Sequence, residues 1–297
     1  MVGADEERIR AAALAWLDAV TLGGSTPISR ERLANDFQVD GLRFPLIDRG
    51  RGIRKPRGWL AALSITTAAG RPYADEVGPD ALQRYKLRRD ERGSGENEGL
   101  RVALREQLPL AWFYGVTPGL FNVVAPVYLI DEEPADSQFV VALTEDQRRV
   151  QPRSLMEESL RRYIVSETKR RLHQPLFASQ VMLAYDTRCA VCRLGHRQLL
   201  DAAHIIPDGQ PRGAPVVPNG LALCKIHHAA YDQNILGIRP DHVVEIHRRL
   251  LLEIDGPMLL HGLQEHHGQS LMQMPRRRAD RPDTDRLMER YAQFQAA

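Results

Sequence analysis

The chain has 297 residues, 43% of them apolar and 26% charged, enough for about two globular domains with cores of their own. Forty basic residues against 38 acidic ones leave a net charge of +2, which is too mild to mark a nucleic-acid binder, so only the local distribution of charge is informative. The three cysteines, an odd number placed as Cys189, Cys192 and Cys224, suit metal ligation in a reducing compartment better than a disulfide framework. The acidic N-terminus MVGADEERIR has no apolar stretch behind it, and no run is long enough to span a bilayer, so the expectation is a soluble cytoplasmic protein with no membrane partner.

In chain order, EERIRAAALAWLDAVT places Ile9, Ala13, Leu14 and Trp16 at helical spacing and meets a stop signal at Gly23 and Gly24. A short helix is predicted from Ser29 to Phe37. From Leu42 to Leu143 the runs LRFPLI, ALSITTA, LPLAWFYGV, FNVVAPVYLI and QFVVAL read as strands punctuated by Gly and Pro, with one helical insert at GLRVALREQ. RGSGENEG, Arg92 to Gly99, has the composition of a loop. PRSLMEESLRRYIVSETKRRLHQ reads as a long amphipathic helix with Ser154 as N-cap and Glu157 completing a capping box. Further on, HVVEIHRRLLLEIDGPMLL reads as closing strands, and PRRRADRPDTDRLMERYAQFQ as a basic tail ending in a helix. The expected fold is α+β, with a curved β-sheet domain over 1–150, a helical linker over 151–176 and a metal-containing domain with its tail over 177–297.

The chemistry concentrates in TRCAVCRLGHRQLLDAAHIIPDGQPRGAPVVPNGLALCKIHHAAYDQN. The Cys189-x-x-Cys192 turn supplies half of a tetrahedral Zn²⁺ site, and the Cys224-x-x-His227 turn repeats the spacing and supplies the rest. That assigns His227 to structural zinc and its neighbour His228 to chemistry. His204 is expected on a strand, Asn219 in a Pro-Asn-Gly turn and His228 on the following helix. A strand His facing a helix His, with an Asn bracing the loop, suits one-metal phosphodiester hydrolysis: His204 accepts a proton from water, and His228 holds Mg²⁺ or Mn²⁺ at the phosphate. The remaining histidines, His196, His242, His247, His261, His266 and His267, have no comparable context and read as surface residues.

From Gln174 to Asp232, through HQPLFASQVMLAYDTRCAVC, DAAHIIP and NGLALCKIHHAAYD, the chain resembles the HNH or ββα-metal endonucleases, in their zinc-containing McrA-like subgroup. The resemblance implies a DNA endonuclease in which His204 is the base, Asn219 orients the loop between the two strands and His228 is a catalytic-metal ligand. Many members carry Asp or His before the base, where this chain has Ala203, so Asp201 or Asp232 is expected to supply the missing carboxylate.

The N-terminal half, through ALSITTAAGRPYADEVGPDALQRYKLR and LPLAWFYGVTPGLFNVVAPVYLI, resembles SRA/PUA-like readers of modified bases in its order of features: Tyr73 and Asp75, Tyr85, Asn97 before a helix, then Gly115 and Tyr128 in late strands. Base flipping requires stacking rings and hydrogen-bonding groups to offset unstacking, and Tyr73, Asp75, Tyr85, Trp112 and Tyr114 are the expected pocket. Trp112 and Tyr114 have an alternative reading as sheet core. Arg49, Arg51, Arg54, Lys55 and Arg57 in DRGRGIRKPRG form an expected DNA-backbone track, continued by Arg148, Arg149, Arg153, Arg161 and Arg162. The sequence therefore predicts a modification-dependent restriction endonuclease acting on double-stranded DNA that carries 5-methylcytosine or a related 5-substituted cytosine, with a homodimer serving to cut both strands. Two alternatives remain: a nuclease directed to phosphorothioate DNA, and a zinc-stapled DNA-binding module that does not cut.

Overall fold

A computed structural model describes residues 3–48, 50–69, 82–86, 94–149 and 158–297. They fall into two compact units, Met1–Leu176 and Phe177–Ala297. The architecture is α+β in both.

The first unit opens with α1 (Ala4–Thr21), whose Ala13 and Leu17 are buried. Strand β1 (Ile28–Ser29) leads into α2 (Arg30–Asn35), where the Ser29 hydroxyl accepts the Arg32 N–H as an N-cap. The hairpin β2 (Gln38–Val39) with β3 (Leu42–Arg43) follows, then β4 (Ile53–Arg54), β5 (Ser64–Thr67), β6 (Gln83–Lys86), α3 (Ser94–Arg105), β7 (Leu110–Thr117), β8 (Leu120–Glu133) and β9 (Gln138–Ala142). The strands join in the order β4-β5-β7-β8-β9-β6, with β1 also pairing β8. Only β5 with β7 is parallel among these pairs. The sheet is covered on both faces, which explains why LPLAWFYGV is apolar without alternation. Ala111 and Phe113 pack with α1 and α2 on one face, while Leu110, Trp112 and Tyr114 pack with α3 residues Leu100 and Ala103 on the other.

The strand and helix expectations hold for α1, α2, β5, β7, β8 and β9, and two others in this unit are corrected. LRFPLI forms strand only at Leu42–Arg43, because Leu46 and Ile47 leave the pleat to fill the core under α2. The expected loop at Arg92–Gly99 is helical from Ser94 onward, since Gly95 and Gly99 are absorbed into the first turns of α3. The capping box at Ser154 and Glu157 lies outside the described residues; helix continues through α4 (Glu158–Thr168), a π-turn at Lys169–His173 and α5 (Gln174–Ala184).

In the second unit, β10 (Leu200–His204) pairs antiparallel with β11 (Gly220–Cys224), which runs directly into α6 (Lys225–Asp232). A second hairpin, β12 (Leu236–Ile238) with β13 (Val244–Ile246), follows. Beyond β13 the expected closing strands give way to helices: the His247 imidazole accepts the Arg249 N–H and starts α7 (Arg248–Leu251), and Gly256-Pro257 starts α8 (Pro257–Gly262). The chain ends in α9 (Thr284–Gln295), capped by the Asp283 carboxylate on the Arg286 N–H. The core joins Phe177 and Val181 of α5, and Tyr185 just after it, to the β10–β11 hairpin, Tyr231 of α6 and Leu287 of α9.

Gly115 of β7 lets the chain after β5 come close, because a Cβ there would lie 2.4 Å from the Ala69 nitrogen and 2.9 Å from the Thr67 oxygen. Replacing Gly115 by Ala is expected to destabilise the first unit by about 1–3 kcal/mol. Urea denaturation followed by tryptophan fluorescence reads this directly, and an unchanged midpoint would contradict the close packing.

Candidate active site and metal centre

The Cys189–Cys192 turn is built by hydrogen bonds from Arg193 N to Cys189 O and from Cys189 N to Leu194 O. It is fastened to β11 by the Ala190 N–H on the Ala222 carbonyl. Cys224 ends that strand, and His227 lies in the first turn of α6. The ligand atoms of Cys189, Cys192, Cys224 and His227 all lie within 4.8 Å of one another, the one such metal-ligand group among the described residues. His227 Nδ1 is 3.1 Å from the Cys224 sulfur and 3.4 Å from that of Cys189. Zn–S bonds of about 2.3 Å and Zn–N bonds of about 2.0 Å in a tetrahedron put ligand atoms roughly 3.5–3.8 Å apart, so this donor set fits Zn²⁺.

The tautomer is fixed from outside the cluster. The His227 Nε2–H donates to the Gly262 carbonyl at the end of α8, 2.8 Å away, and so points the Nδ1 lone pair at the sulfurs. Burial opposes a charge on this imidazole, yet hydrogen bonds to Cys192 and Cys224 push it up to about 9. The thiols crowd one another as well: hydrogen bonds with Cys192 and Cys224, together with burial, push the Cys189 thiol far up. Four donors packed this closely fit a divalent cation, which binds thiolates and the neutral imidazole.

The catalytic candidates converge on a second place. His204 ends β10, and its ring stacks on Phe177 of α5, with centroids 4.1 Å apart and planes 18° from parallel. His204 pairs across the hairpin with Gly220, where a Cβ would sit 2.4 Å from Val181 and 3.0 Å from Phe177, so α5 reaches the hairpin only because that position is glycine. His204, His228 and Asp232 line one cleft of about 520 Å³, together with Ala202, Asp208, Asn234, Arg290 and Gln293.

His228 is held between two carboxylates, with Nδ1 3.2 Å from Asp201 and Nε2 3.4 Å from Asp232. Asp201 also accepts from the Lys225 ammonium at 2.5 Å. Burial raises the Asp201 carboxyl, but the hydrogen bonds from Lys225 and His228 outweigh it and hold the group below its usual range. Asp201 is therefore occupied behind the imidazole and does not line the cleft, whereas Asp232, 59% exposed against 31% for Asp201, does. Ala203 faces the core and is fully buried, so the position before the base does not open on the cleft; Ala202 does.

Asn219 lies away from the cleft lining and is fully buried. Its Oδ1 accepts the Ile206 N–H at 2.9 Å, and its Nδ2 donates to the carbonyls of Ile206 at 3.0 Å and Ala214 at 3.1 Å. It closes the loop between β10 and β11 and thereby sets where β10 ends.

In the first unit the described aromatics of the expected base pocket, Tyr85, Trp112 and Tyr114, do not form one. Trp112 is fully buried and donates its indole N–H to Thr67 at 2.9 Å; Tyr85 donates to the Gly52 carbonyl at 2.8 Å; Tyr114 packs against Trp112 with ring centroids 5.6 Å apart. These rings are sheet core, because strand alternation turns Trp112 and Tyr114 toward α3. Tyr73 and Asp75 lie outside the described residues, as do Arg49 and Arg153. A cavity of about 260 Å³ lies elsewhere in this unit, lined by Arg30, Arg51, Thr66, Thr117, Phe121 and the neighbouring Ala, Gly and Pro backbone.

Of the expected backbone track, Arg51 and Arg57 are exposed, and Arg51 pairs with Glu96 at 2.6 Å. Arg54 and Lys55 are turned inward, donating to the carbonyls of Pro45 and Trp59. Arg148 lies over the Tyr128 ring at 4.3 Å and pairs with Glu145, and Arg162 is exposed. Sequence reasoning missed Gly262, Arg290 and Arg30. Of the histidines expected at the surface, His267 is exposed and accepts the Ile246 N–H, while His247 is half-buried and caps α7.

Residues 189–239 match the family model of HNH endonucleases. The second unit thus contains an HNH endonuclease domain, and the protein is a DNA endonuclease. No curated protein matches the chain. Among solved structures, the modification-dependent TagI restriction endonuclease is similar at 18% identity and TM-score 0.29, covering 82% of this chain and 85% of that one. The type IV phosphorothioation-dependent restriction endonuclease ScoMcrA is similar at 16% identity and TM-score 0.21, covering 60% of this chain and 54% of that one. Among the described residues no helix is long and apolar enough to cross a membrane.

Removing zinc should cost the second unit its fold, since such a site contributes directly to folding. The expected stoichiometry is one zinc per chain by elemental analysis. Both Cys189→Ser and a strong chelator should abolish the thermal transition of this unit, and a metal-free chain with an unaltered transition would exclude a structural role.

Proposed function

We propose that this protein is a modification-dependent restriction endonuclease: the second unit hydrolyses the DNA backbone, and the first, an SRA/PUA-like reader, selects DNA carrying a modified nucleotide, in the first place a 5-substituted cytosine. The observation that carries the catalytic part is the convergence of His204, His228 and Asp232 on one cleft beside a cluster fit for zinc. His204, held against Phe177, accepts the proton of the attacking water as its oxygen bonds to phosphorus and the bond to the leaving oxygen breaks. Asn219 fixes the loop, and so the strand end that presents His204. Asp201 orients His228 through Nδ1 and leaves Nε2 toward the cleft, the arrangement of a metal-binding imidazole with a carboxylate behind it. His228 and Asp232 are then the ligands for the catalytic ion, which supersedes Asp201 in that role. Mg²⁺ or Mn²⁺ held there would neutralise charge developing on the phosphate and the leaving oxygen. Each chain has one such cleft, and two chains acting together cut both strands.

Selectivity is assigned to the cavity lined by Arg30, Arg51 and Phe121 rather than to the buried aromatics. At about 260 Å³ it is smaller than the roughly 300–1,000 Å³ of sites for drug-sized ligands, and it suits a single nucleotide unit. One observation favours phosphorothioate DNA as a second reading: the lining combines apolar groups, Phe121, Pro118, Ala68 and Ala69, with two guanidiniums. Weakly hydrated sulfur on an anionic phosphate matches such a surface.

A single assay separates these readings. Plasmids that are unmodified, 5-methylated, 5-hydroxymethylated or phosphorothioated are incubated with the protein and Mg²⁺ or Mn²⁺. Preferential cutting of a cytosine-modified plasmid supports the first reading and of the sulfur plasmid the second, whereas equal cutting of all four removes the reader. His204→Ala should lower cleavage by about 10²–10⁴-fold while DNA binding and zinc content stay at parental levels. A His204→Ala protein that cuts normally would displace His204 as base.

A further inference from the structure

The HNH match ends at residue 239, and α9 lies well beyond it. This helix is nonetheless part of the catalytic unit. Leu287 is fully buried in the core, and the Phe294 ring lies against Gly237, where a Cβ would be 2.6 Å from it. Between these two anchors, on the same helical face, stands Arg290. Its residue is only 8% exposed, and its guanidinium lies over the Tyr231 ring, 4.7 Å from the centroid. It donates to the Tyr231 carbonyl at 2.5 Å and to the Asn234 side chain, the groups that flank Asp232 at the end of α6.

Two observations set Arg290 apart. It lines the cleft that contains His204, His228 and Asp232. It also has no carboxylate partner: other guanidiniums buried to this degree, Arg10 and Arg84, are paired with Glu6 and Glu133, while Arg290 makes no ion pair among the described residues. A buried cation without a counter-charge is costly, and a site retains one where an anion completes it. Its bonds to Tyr231 and Asn234 use only part of its donor set, and the aromatic stack and these two acceptors hold the planar fork in place.

We propose that Arg290 is a catalytic residue of this endonuclease, binding a non-bridging oxygen of the DNA phosphodiester in the cleft and stabilising the charge that builds on it during hydrolysis. The C-terminal helix then completes the anion site that the matched HNH segment leaves open. The proposal rests on the assignment of the cleft as the nuclease site. A purely structural Arg290 would do no more than cap α6 through Tyr231 and Asn234, a task that a neutral amide shares.

Arg290→Gln and Arg290→Lys separate the two roles. Both are measured in the full chain for zinc content, thermal transition, kcat and KM on DNA. They are also measured in a His204→Ala background for the salt dependence of DNA affinity by fluorescence anisotropy. Arg290→Gln is expected to keep zinc and fold, to lower kcat by about 10²–10³-fold and to reduce the slope of log affinity against log salt by about one. Arg290→Lys should restore the slope while recovering only part of kcat, because a point charge replaces a fork. Parental kcat and slope in Arg290→Gln overturn the proposal, as does a loss that tracks zinc or thermal stability in both variants. Should the parent itself fail to cut any DNA, the nuclease assignment falls, while the binding slope still reports whether Arg290 meets a phosphate.

Discussion

Everything in the catalytic unit depends on the closing of three sulfurs and one imidazole around a single point. Cys189 and Cys192 belong to a turn before β10, and Cys224 and His227 to the junction of β11 with α6, so the cluster joins segments more than thirty residues apart in the chain. The surrounding structure supplies what a tetrahedral ion needs and no more: a backbone-built turn, a strand end, one helical turn and a carbonyl from α8 that fixes the imidazole. The site is closed, as structural zinc sites are, and offers no open position for chemistry.

The chemistry begins one residue further on. Consecutive helical side chains diverge by about 100°, so rooting His227 in the zinc cluster turns His228 to a different face of α6. There Asp201 of β10 meets it from behind, and Asp232, one helical turn along, lies at its other nitrogen. The ion pair of Asp201 with Lys225 ties β10 to α6 a second time. His204 arrives by a separate route, set by Asn219 through the loop and by Phe177 through the stack. The placement of His204 relative to His228 is thus over-determined, as the proposed catalytic roles need when a displacement of about 1 Å is costly.

Local spacing made part of this legible from the sequence. Two matched x-x turns point to the Cys189, Cys192, Cys224 and His227 cluster fit for zinc, and the order of His204, Asn219 and His228 places them on strand, turn and helix, because those elements are short and contiguous. The choice between Asp201 and Asp232 was not legible, since it depends on which nitrogen of His228 each carboxylate reaches, a property of the β10–α6 contact. The first unit shows the opposite balance. Its strands were readable from their apolar runs, yet those runs are apolar because the sheet is covered on both faces, and that is why Trp112 and Tyr114 were drawn into a pocket they do not line. Arg30 and Phe121 are brought together only by the pairing of β1 with β8, and no window of sequence contains both.

Arg290 shows a further limit and also a usable signal. On α9 the residues Leu287, Arg290 and Phe294 follow the i, i+3, i+7 pattern of a buried stripe, with an arginine where an apolar residue belongs. A surface arginine tells nothing, but an arginine in the apolar stripe needs acceptors for its donors, whether carbonyls, an acid or an anion from outside. On α9 the nearest acids in sequence, Glu289 and Asp285, lie off the stripe and face Arg212. The helix therefore carries into the cleft a guanidinium that makes no ion pair among the described residues. On the proposed assignment, a phosphodiester entering that cleft meets a positive group from α9 on one side and His228 and Asp232 of α6 on the other, so the two helices would form one electrostatic site.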